Sequence, residues 1–425
     1  MSKSYATHEE LSWILYDVGN SAFVLVMVTA VMPIFFKDFA ASGLPDAVST
    51  ANWGFANSAA SLLLAVLAPV LGVMADYKGF KIKFFAAFMT LGIGFTLSLT
   101  LIQKGQWLPC LLLFMAARVG WSGANIFYDA FIVDVTEGDR MDRVSAAGYA
   151  WGYIGSVIPF LIIIGLILTA SGDAYPTIPV LPSKLGFGIV AIWWLAFSLP
   201  MLKNVKQKYA APLSPDPVKD AFSRLCRTFV NIRRHRQAFY FLIAYFFYID
   251  GVDTIISMST AYGRDLGFGV TLLIIVILFI QVIAFPFALL YGRLAGRFSA
   301  KTMLMAGICV YCVITLMAFL LPEIPDIKIK TVIFWFIAFL VGFSMGGIQA
   351  LSRSFFGNLI PAENSAEFFG FYNVFGKFAA IAGPFLMGVV GRLTGHSRWG
   401  VLSILFLFII GAGLLSRVDG RSRKS

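Results

Sequence analysis

Charge is scarce in this chain. Asp, Glu, Lys and Arg make up 13% of its 425 residues, about half the share of a typical soluble protein. Cysteines number four and histidines three. So few cysteines exclude a disulfide-stapled secreted domain. His8, His235 and His396 all fall outside the long apolar stretches, so no Ser–His–Asp order is plausible and no metal-ligand cluster is spelled out. No glycine-rich loop ends in Gly-Lys-Ser or Gly-Lys-Thr, which excludes an ATP-driven pump in one chain. The chain therefore reads as a non-enzyme, with no cofactor and no metal expected.

Apolar residues are what the chain has instead. They make up 59% of it, and the mean hydropathy is +0.82. A soluble fold could not hide that much apolar surface, whereas a bilayer can. A spanning helix needs about 20 mainly apolar residues. Twelve candidates meet this, over 12–36, 49–74, 82–102, 107–134, 144–170, 186–202, 238–262, 269–291, 302–321, 331–352, 366–391 and 398–416. The first opens with Tyr16, Asp17 and Asn20 and has neither a basic n-region nor a small-residue cleavage site, so it does not read as a signal peptide.

The net charge of +11 would suggest nucleic acid in a soluble protein. The positions of the charges point elsewhere. With the N-terminus in the cytoplasm, cytoplasmic segments hold 23 Lys and Arg and external segments 8, with Arg118 and Lys377 left inside spans. This asymmetry places both termini inside. Residues 203–237 are the one long polar stretch between spans and divide the chain into a six-helix bundle over 1–202, a cytoplasmic linker, and a second bundle over 238–425. The basic end of the linker, Arg233–Arg234–His235–Arg236, is expected against anionic lipid headgroups rather than nucleic acid. Cys309-x-x-Cys312 lies in an apolar span with no His or acid nearby and reads as packing, not metal binding.

The two halves repeat. Gly72-Val-Met-Ala-Asp76-Tyr-Lys-Gly79-Phe-Lys81 answers Gly292-Arg-Leu-Ala-Gly296-Arg-Phe-Ser299-Ala-Lys301, at an offset of 220 residues. Val119-Gly120-Trp121-Ser122 answers Val341-Gly342-Phe343-Ser344, and Gly148-Tyr149 answers Gly370-Phe371, both at 222. Pro159-Phe160 answers Pro384-Phe385 at 225. Parallel halves are a transporter design. Gly72 allows close helix approach, Gly79 can take positive φ in a tight turn, and Asp76 can face a helix N-terminus. The second copy has Gly296 in place of the acid and Ser299 in place of the turn glycine.

Gly72, Asp76 and Gly79 resemble the loop 2–3 signature of the major facilitator superfamily. Tyr16-Asp17-Val-Gly-Asn20-Ser21, Asn125-Ile-Phe-Tyr128-Asp129, Gly148-Tyr-Ala-Trp-Gly152-Tyr153, Asp250-Gly251-Val252, Gly347-Ile-Gln349-Ala-Leu-Ser352-Arg353-Ser354 and Glu367-Phe-Phe-Gly370-Phe-Tyr372 resemble its vacuole-effluxer-like branch. That branch includes the fungal autophagy-related vacuolar amino-acid effluxer and many bacterial members. The resemblance implies an all-α membrane protein with twelve transmembrane helices in the major facilitator fold, two six-helix bundles around a central cavity. Helices 1, 4, 7 and 10 would line that cavity. It also implies a multi-pass protein of a bacterial inner membrane. Departures are Asp129 where Asn is usual and Asp253 where Gln is usual, which add two carboxylates near the presumed path.

Charges in a bilayer centre cost about 2.5 kcal/mol or more and need a reason. Arg118, Lys377 and Asp250 each lie about 16–18 Å into their spans, near the midplane, with Gln281 at similar depth. At about 100° per residue, Arg118, Asn125 and Asp129 share one stripe of their helix, as do Asp250, Asp253, Thr254 and Ser257. Asp17 shares a stripe with Asn20 and Ser21, Gln349 with Ser352 and Arg353, and Asn373 with Lys377. Candidate solute contacts are Arg118, Asn125, Tyr128, Asp129, Tyr153, Asp250, Thr254, Gln281, Gln349, Asn373 and Lys377. Arg118 and Lys377 have a competing role as structural ion pairs with Asp129, Asp250 or Asp17. Packing is the alternative for Tyr128 and Tyr153. Asp134, Arg353, Glu367 and Asp76 near the inner mouth read as snorkelling or gate groups beside the structural Gly72 and Gly79.

With no histidine in a span, proton coupling must rest on carboxylates. Asp250 and Asp253 stand one turn apart, where mutual repulsion and burial both favour proton uptake; Asp17 and Asp129 are competing sites. The function expected is secondary transport of a small polar solute by alternating access, an exported amino acid first. The alternatives are another organic or drug-like solute, or a non-transporting receptor or lipid-handling protein. Partners expected are the solute, protons and membrane lipids, with no nucleic acid and a monomeric chain.

Overall fold

The computed structural model describes residues 6–170, 178–212, 235–268 and 270–419. Twelve helices among them are long and apolar enough to cross a membrane: α1 His8–Ala40, α2 Asn52–Ala75, α3 Phe80–Leu101, α4 Trp107–Val135, α5 Arg140–Ala170, α6 Val180–Asn204, α7 Arg236–Ser259, α8 Ile275–Phe298, α9 Ala300–Glu323, α10 Ile327–Leu359, α11 Ala362–Thr394 and α12 Ser397–Ser416. The chain is an all-α, twelve-span membrane protein. Large apolar side chains such as Leu62, Val66, Ile192, Phe336 and Phe406 stay exposed; in a bilayer, lipid tails cover them. Arg233, Arg234 and Cys226 lie outside the described residues, so the headgroup expectation for the linker's basic end is not placed.

Local chemistry starts and stops these helices. Thr7 opens α1 with a full capping box: Glu10 N–H donates to its hydroxyl and Glu10 Oε2 accepts from Thr7 N–H at 2.7 Å. Asp326 caps α10 by accepting from Lys328 N–H at 2.7 Å. Gly79, with φ of +77°, turns the chain between α2 and α3. Its counterpart before α9 is Ser299, and that residue also holds φ at +77°. The second copy lost the glycine but kept the φ, at a cost of about 1–3 kcal/mol for a residue with a Cβ. Ser299 also caps α9 by accepting from Thr302 N–H.

Helix α1 is not uniform. It winds as a π-helix over Val24–Ala30, returns to α over Val31–Phe35, and is π again over Phe36–Ala40. Pro33 lies in the middle. It has no N–H and its ring crowds the preceding turn, so the ladder there must be rebuilt. Val31 N–H reaches back to Val26 O, and Ala41 N–H to Phe36 O at 2.7 Å.

The described residues form two compact units. Unit 1 takes them from Met1–Val135, Trp151–Leu225 and Ala362–Gly370; unit 2 takes them from Thr136–Ala150, Cys226–Pro361 and Phe371–Ser425. Helices α5 and α11 are thus divided. The start of α5 packs with unit 2, and the start of α11 packs with unit 1.

Candidate functional site

In unit 1, polar groups gather on α1 and α4. Asp17 is buried; its Oδ2 accepts from Tyr128 Oη at 2.7 Å and its Oδ1 from Asn20 Nδ2 at 3.2 Å. Trp121 Nε1 donates to Asn20 Oδ1 at 3.2 Å. Trp13 stacks on the Tyr128 ring at 4.5 Å and donates its Nε1–H to Tyr128 O at 2.9 Å. Asp17 is therefore a hydrogen-bonded carboxylate inside the protein, with Tyr128 and Asn20 as donors. Asp129 is buried and Tyr153 half-buried.

Arg118 differs from Asp17. It is half-buried, and its Nη1 donates to Asn57 Oδ1 at 2.5 Å. No carboxylate of the described residues pairs with it, so the structural ion pair open to it in sequence is not formed. Asn125, two turns on, is half-buried and makes no hydrogen bond among the described residues.

A second cluster of unit 1 joins the α2–α3 turn to the start of α11. Asp76 is fully buried. Its Oδ1 accepts from Ala366 N–H at 2.9 Å and its Oδ2 from Glu367 N–H at 3.0 Å. The helix N-terminus that Asp76 faces is that of α11, where orphan N–H groups and the helix dipole favour an anion. Gly72 permits this approach, since a Cβ there would sit 2.5 Å from Ala366 O. Burial pushes the Asp76 carboxyl up to about 7, against the Lys81 charge and the two N–H donors, which pull it down. Lys81 Nζ is shared between Asp134 Oδ2 and Ser365 Oγ, 2.8 Å from each. Lys81, Asp134 and Glu367 are buried, so these residues do not snorkel.

Unit 2 holds Asp250, a carboxylate supported on one oxygen. Asp250 is fully buried. Its Oδ1 accepts from Gly383 N–H at 2.7 Å, with Thr254 Oγ1 at 3.5 Å; its Oδ2 has no hydrogen-bond partner among the described residues. Gly383 must lack a side chain: a Cβ would press into Thr254 Oγ1 and lie 2.6 Å from Asp250 Oδ1. Thr254 also borders an apolar cavity with Met258, Tyr262, Phe334 and Met387. Asp253, Gln281, Gln349 and Asn373 are half-buried on α7, α8, α10 and α11. Lys377 lies on α11, but its side chain is outside what is described.

Arg353 is buried within unit 2 at 1% exposure. Its guanidinium lies 4.3 Å over the Tyr149 ring and donates to Ser145 Oγ at 3.0 Å and Ser145 O at 3.1 Å. Ser354 Oγ donates to Asp142 Oδ1 at 2.6 Å. These bonds bind the start of α5 to the end of α10.

Sequence reasoning missed four partners: Asn57 for Arg118, Gly383 for Asp250, Ser365 for Lys81, and the residues after α6 that complete Asp134. Lys81 and Asp134 are 53 residues apart, and no local spacing rule links them. Pro384 was a signal for Gly383, because a proline in a helix often marks an opened backbone.

The family described as "Vacuole effluxer Atg22 like" matches residues 47–136 and 133–425. The uncharacterized MFS-type transporter YxiO of Bacillus subtilis (strain 168) is 48% identical over 413 residues, covering 97% of this chain and 95% of that one. Autophagy-related protein 22 of Coccidioides immitis (strain RS) is 27% identical over 305 residues, covering 66% of this chain and 49% of that longer protein. Among solved structures, the proton:xylose symporter XylE aligns with a TM-score of 0.74 at 10% identity, over 97% of this chain and 95% of that one. The transporter FucP in its outward conformation aligns at 0.70 and 13% identity, over 97% and 98%. At those identities the likeness speaks for the fold alone. With twelve spans, a family model over most of the chain and a nearly full-length relative 48% identical, the chain belongs to the vacuole effluxer Atg22-like family of major facilitator transporters.

Proposed function

We propose that this transporter exports a small polar solute, an amino acid first among the candidates, by alternating access, and that Asp250 carries a coupling proton. The observation that supports it is a pair of unmatched charged groups. Among the described residues Arg118 has only the Asn57 amide as partner. Asp250 is buried with one oxygen unpartnered among the described residues. Groups of this kind are expensive in a membrane and usually functional. A solute carboxylate complements the forked guanidinium of Arg118, and a proton on Asp250 removes its buried charge. The apolar cavity beside Thr254 suits the hydrocarbon part of a solute. The export direction follows the family's description, and the Lys and Arg asymmetry supports cytoplasmic termini in a bacterial inner membrane.

Counterflow in proteoliposomes tests the reading. Labelled amino acids, sugars, nucleosides and small peptides are offered in turn. Amino acids alone should exchange. Exchange of another organic solute in their place overturns the amino-acid assignment, and no exchange of any solute favours a receptor or lipid-handling protein.

A further inference from the structure

The residues that follow α6 do more than lead away from it. Beyond Asn204 the chain runs extended along the α2–α3 turn. Ala211 N–H donates to Asp76 O at 2.8 Å, and Ala211 forms an isolated parallel bridge with Tyr77. Gln207 is inserted into the turn itself. Its Oε1 accepts from Gly79 N–H at 2.9 Å, and its Nε2 donates to Ala75 O and Asp76 O at 3.3 Å each. Lys208 N–H and Tyr209 N–H both donate to Asp134 Oδ1, at 2.8 and 3.0 Å. The Lys208 ammonium reaches Glu9 at 2.6 Å, and Asn204 Nδ2 donates to Ser12 Oγ at 2.9 Å. All these residues belong to unit 1.

We infer that residues 205–211 form a strap that positions the start of α11, and that its docking sets how readily α11 leaves Asp76. The strap acts through two connections. Asp134 is buried and divides its oxygens: one faces Lys81, the other accepts the two strap N–H groups. Those donors offset part of its negative charge, which leaves the Lys81 ammonium free to hold Ser365 Oγ as well. If the strap lifts, Asp134 loses both donors, draws Lys81 to itself and weakens the hold on Ser365. The second connection is mechanical. Gln207 braces both sides of the turn that carries Asp76, so Asp76 stays aimed at Ala366 and Glu367 N–H. The Lys208–Glu9 ion pair is largely exposed, with side chains at 46% and 31%; pairs of this kind contribute little, so the strap rests on backbone groups and Gln207. The inference goes beyond the proposed export function and needs only that a transporter release these contacts during its cycle.

The test uses no solute, so failure of the amino-acid assignment leaves it intact. Cys226, Cys309 and Cys312 are replaced by Ser, Cys110 is kept, and Ala366 is changed to Cys in the full chain. Ala366 and Cys110 are both fully buried. A maleimide reports release of α11 at position 366, and protection of Cys110 reports an intact bundle. Gln207→Ala should raise the labelling rate at 366 about five- to tenfold, equivalent to about 1–1.4 kcal/mol, with Cys110 still protected. Lys208→Ala keeps its backbone N–H and should leave the rate within about twofold of the parent, the small effect expected of an exposed pair. If Gln207→Ala exposes both cysteines, Ala211→Pro, which removes the N–H that bonds Asp76 O, takes its place and should raise labelling at 366 alone. An unchanged rate in a folded strap variant, or an equal rise with Lys208→Ala, overturns the inference.

Discussion

Gly383→Ala separates two opposite expectations. On an ordinary helix the change is stabilising by about 0.4–1 kcal/mol, because alanine restricts the unfolded chain. At this position the new methyl meets Thr254 Oγ1 and comes within 2.6 Å of Asp250 Oδ1. Overpacking of this kind costs about 1–3 kcal/mol. The shift also breaks the 2.7 Å bond from Gly383 N–H to Asp250, and a hydrogen bond to a charged group is worth about 1.5–3 kcal/mol. Set against the helix gain, the net expectation is a loss of about 1.5–5.5 kcal/mol. Titration of the purified protein with a denaturing detergent measures it. Thr254→Ala in the same chain removes the hydroxyl in the way, so the double variant should recover part of the loss. Loss without recovery would place the clash elsewhere. A gain in stability, or no change, refutes the close approach of α7 and α11 at Asp250.

Three further outcomes follow from the sites. Asp250→Asn should abolish accumulation driven by a pH gradient while solute counterflow persists; gradient-driven accumulation at the parental level removes Asp250 from the coupling role. Arg118→Gln should raise the KM for a carboxylate-bearing solute at least tenfold, as expected for loss of about 1.4 kcal/mol or more of ionic binding, and a KM within twofold of the parent removes Arg118 from solute contact. Docking of α11 on Asp76 should depend on pH. Docked, the carboxyl sits at about 7; undocked and wet, it returns toward about 3.9. The docked form binds the proton more tightly, so its added stability is full below about 4 and is lost as pH rises through about 7. Maleimide labelling of Ala366→Cys, normalised to a free thiol in the same buffer, should be about tenfold slower at pH 6 than at pH 8. Asp76→Asn should flatten that profile, and a profile that persists refutes its assignment to Asp76.

The spans were legible because a bilayer leaves few solutions. Twelve apolar runs far longer than a soluble core helix could only be spans, and the helices formed where the runs lie. The Asp76 turn was legible too, because a glycine with positive φ and an acid before a helix N-terminus are local chemistry. Contacts made across the fold were not. Nothing near Asp134 says that its second oxygen is filled by the backbone of residues 208 and 209, since a backbone donor has no letter of its own. Tyr128 could have packed or faced solute, and only the fold shows its hydroxyl on Asp17. Ser299 stands where the first copy has its turn glycine, and nothing in the serine told that the backbone there keeps the same φ. Helix periodicity likewise failed to report where α1 stops being an α-helix.

Each π turn in α1 uses one residue more than an α turn needs for the same hydrogen-bonded circuit. The helix therefore carries spare chain, one reserve within Val24–Ala30 and another within Phe36–Ala40. Removing a residue from either stretch gives the backbone a regular α turn to fall back on, whereas the same deletion in 8–23 would swing Asp17 and Asn20 away from Tyr128 and Trp121. Face assignments along this helix hold only up to Phe23; beyond it each π turn resets which side chains look inward. The helix thus keeps its register where its polar network is and its slack at the other end.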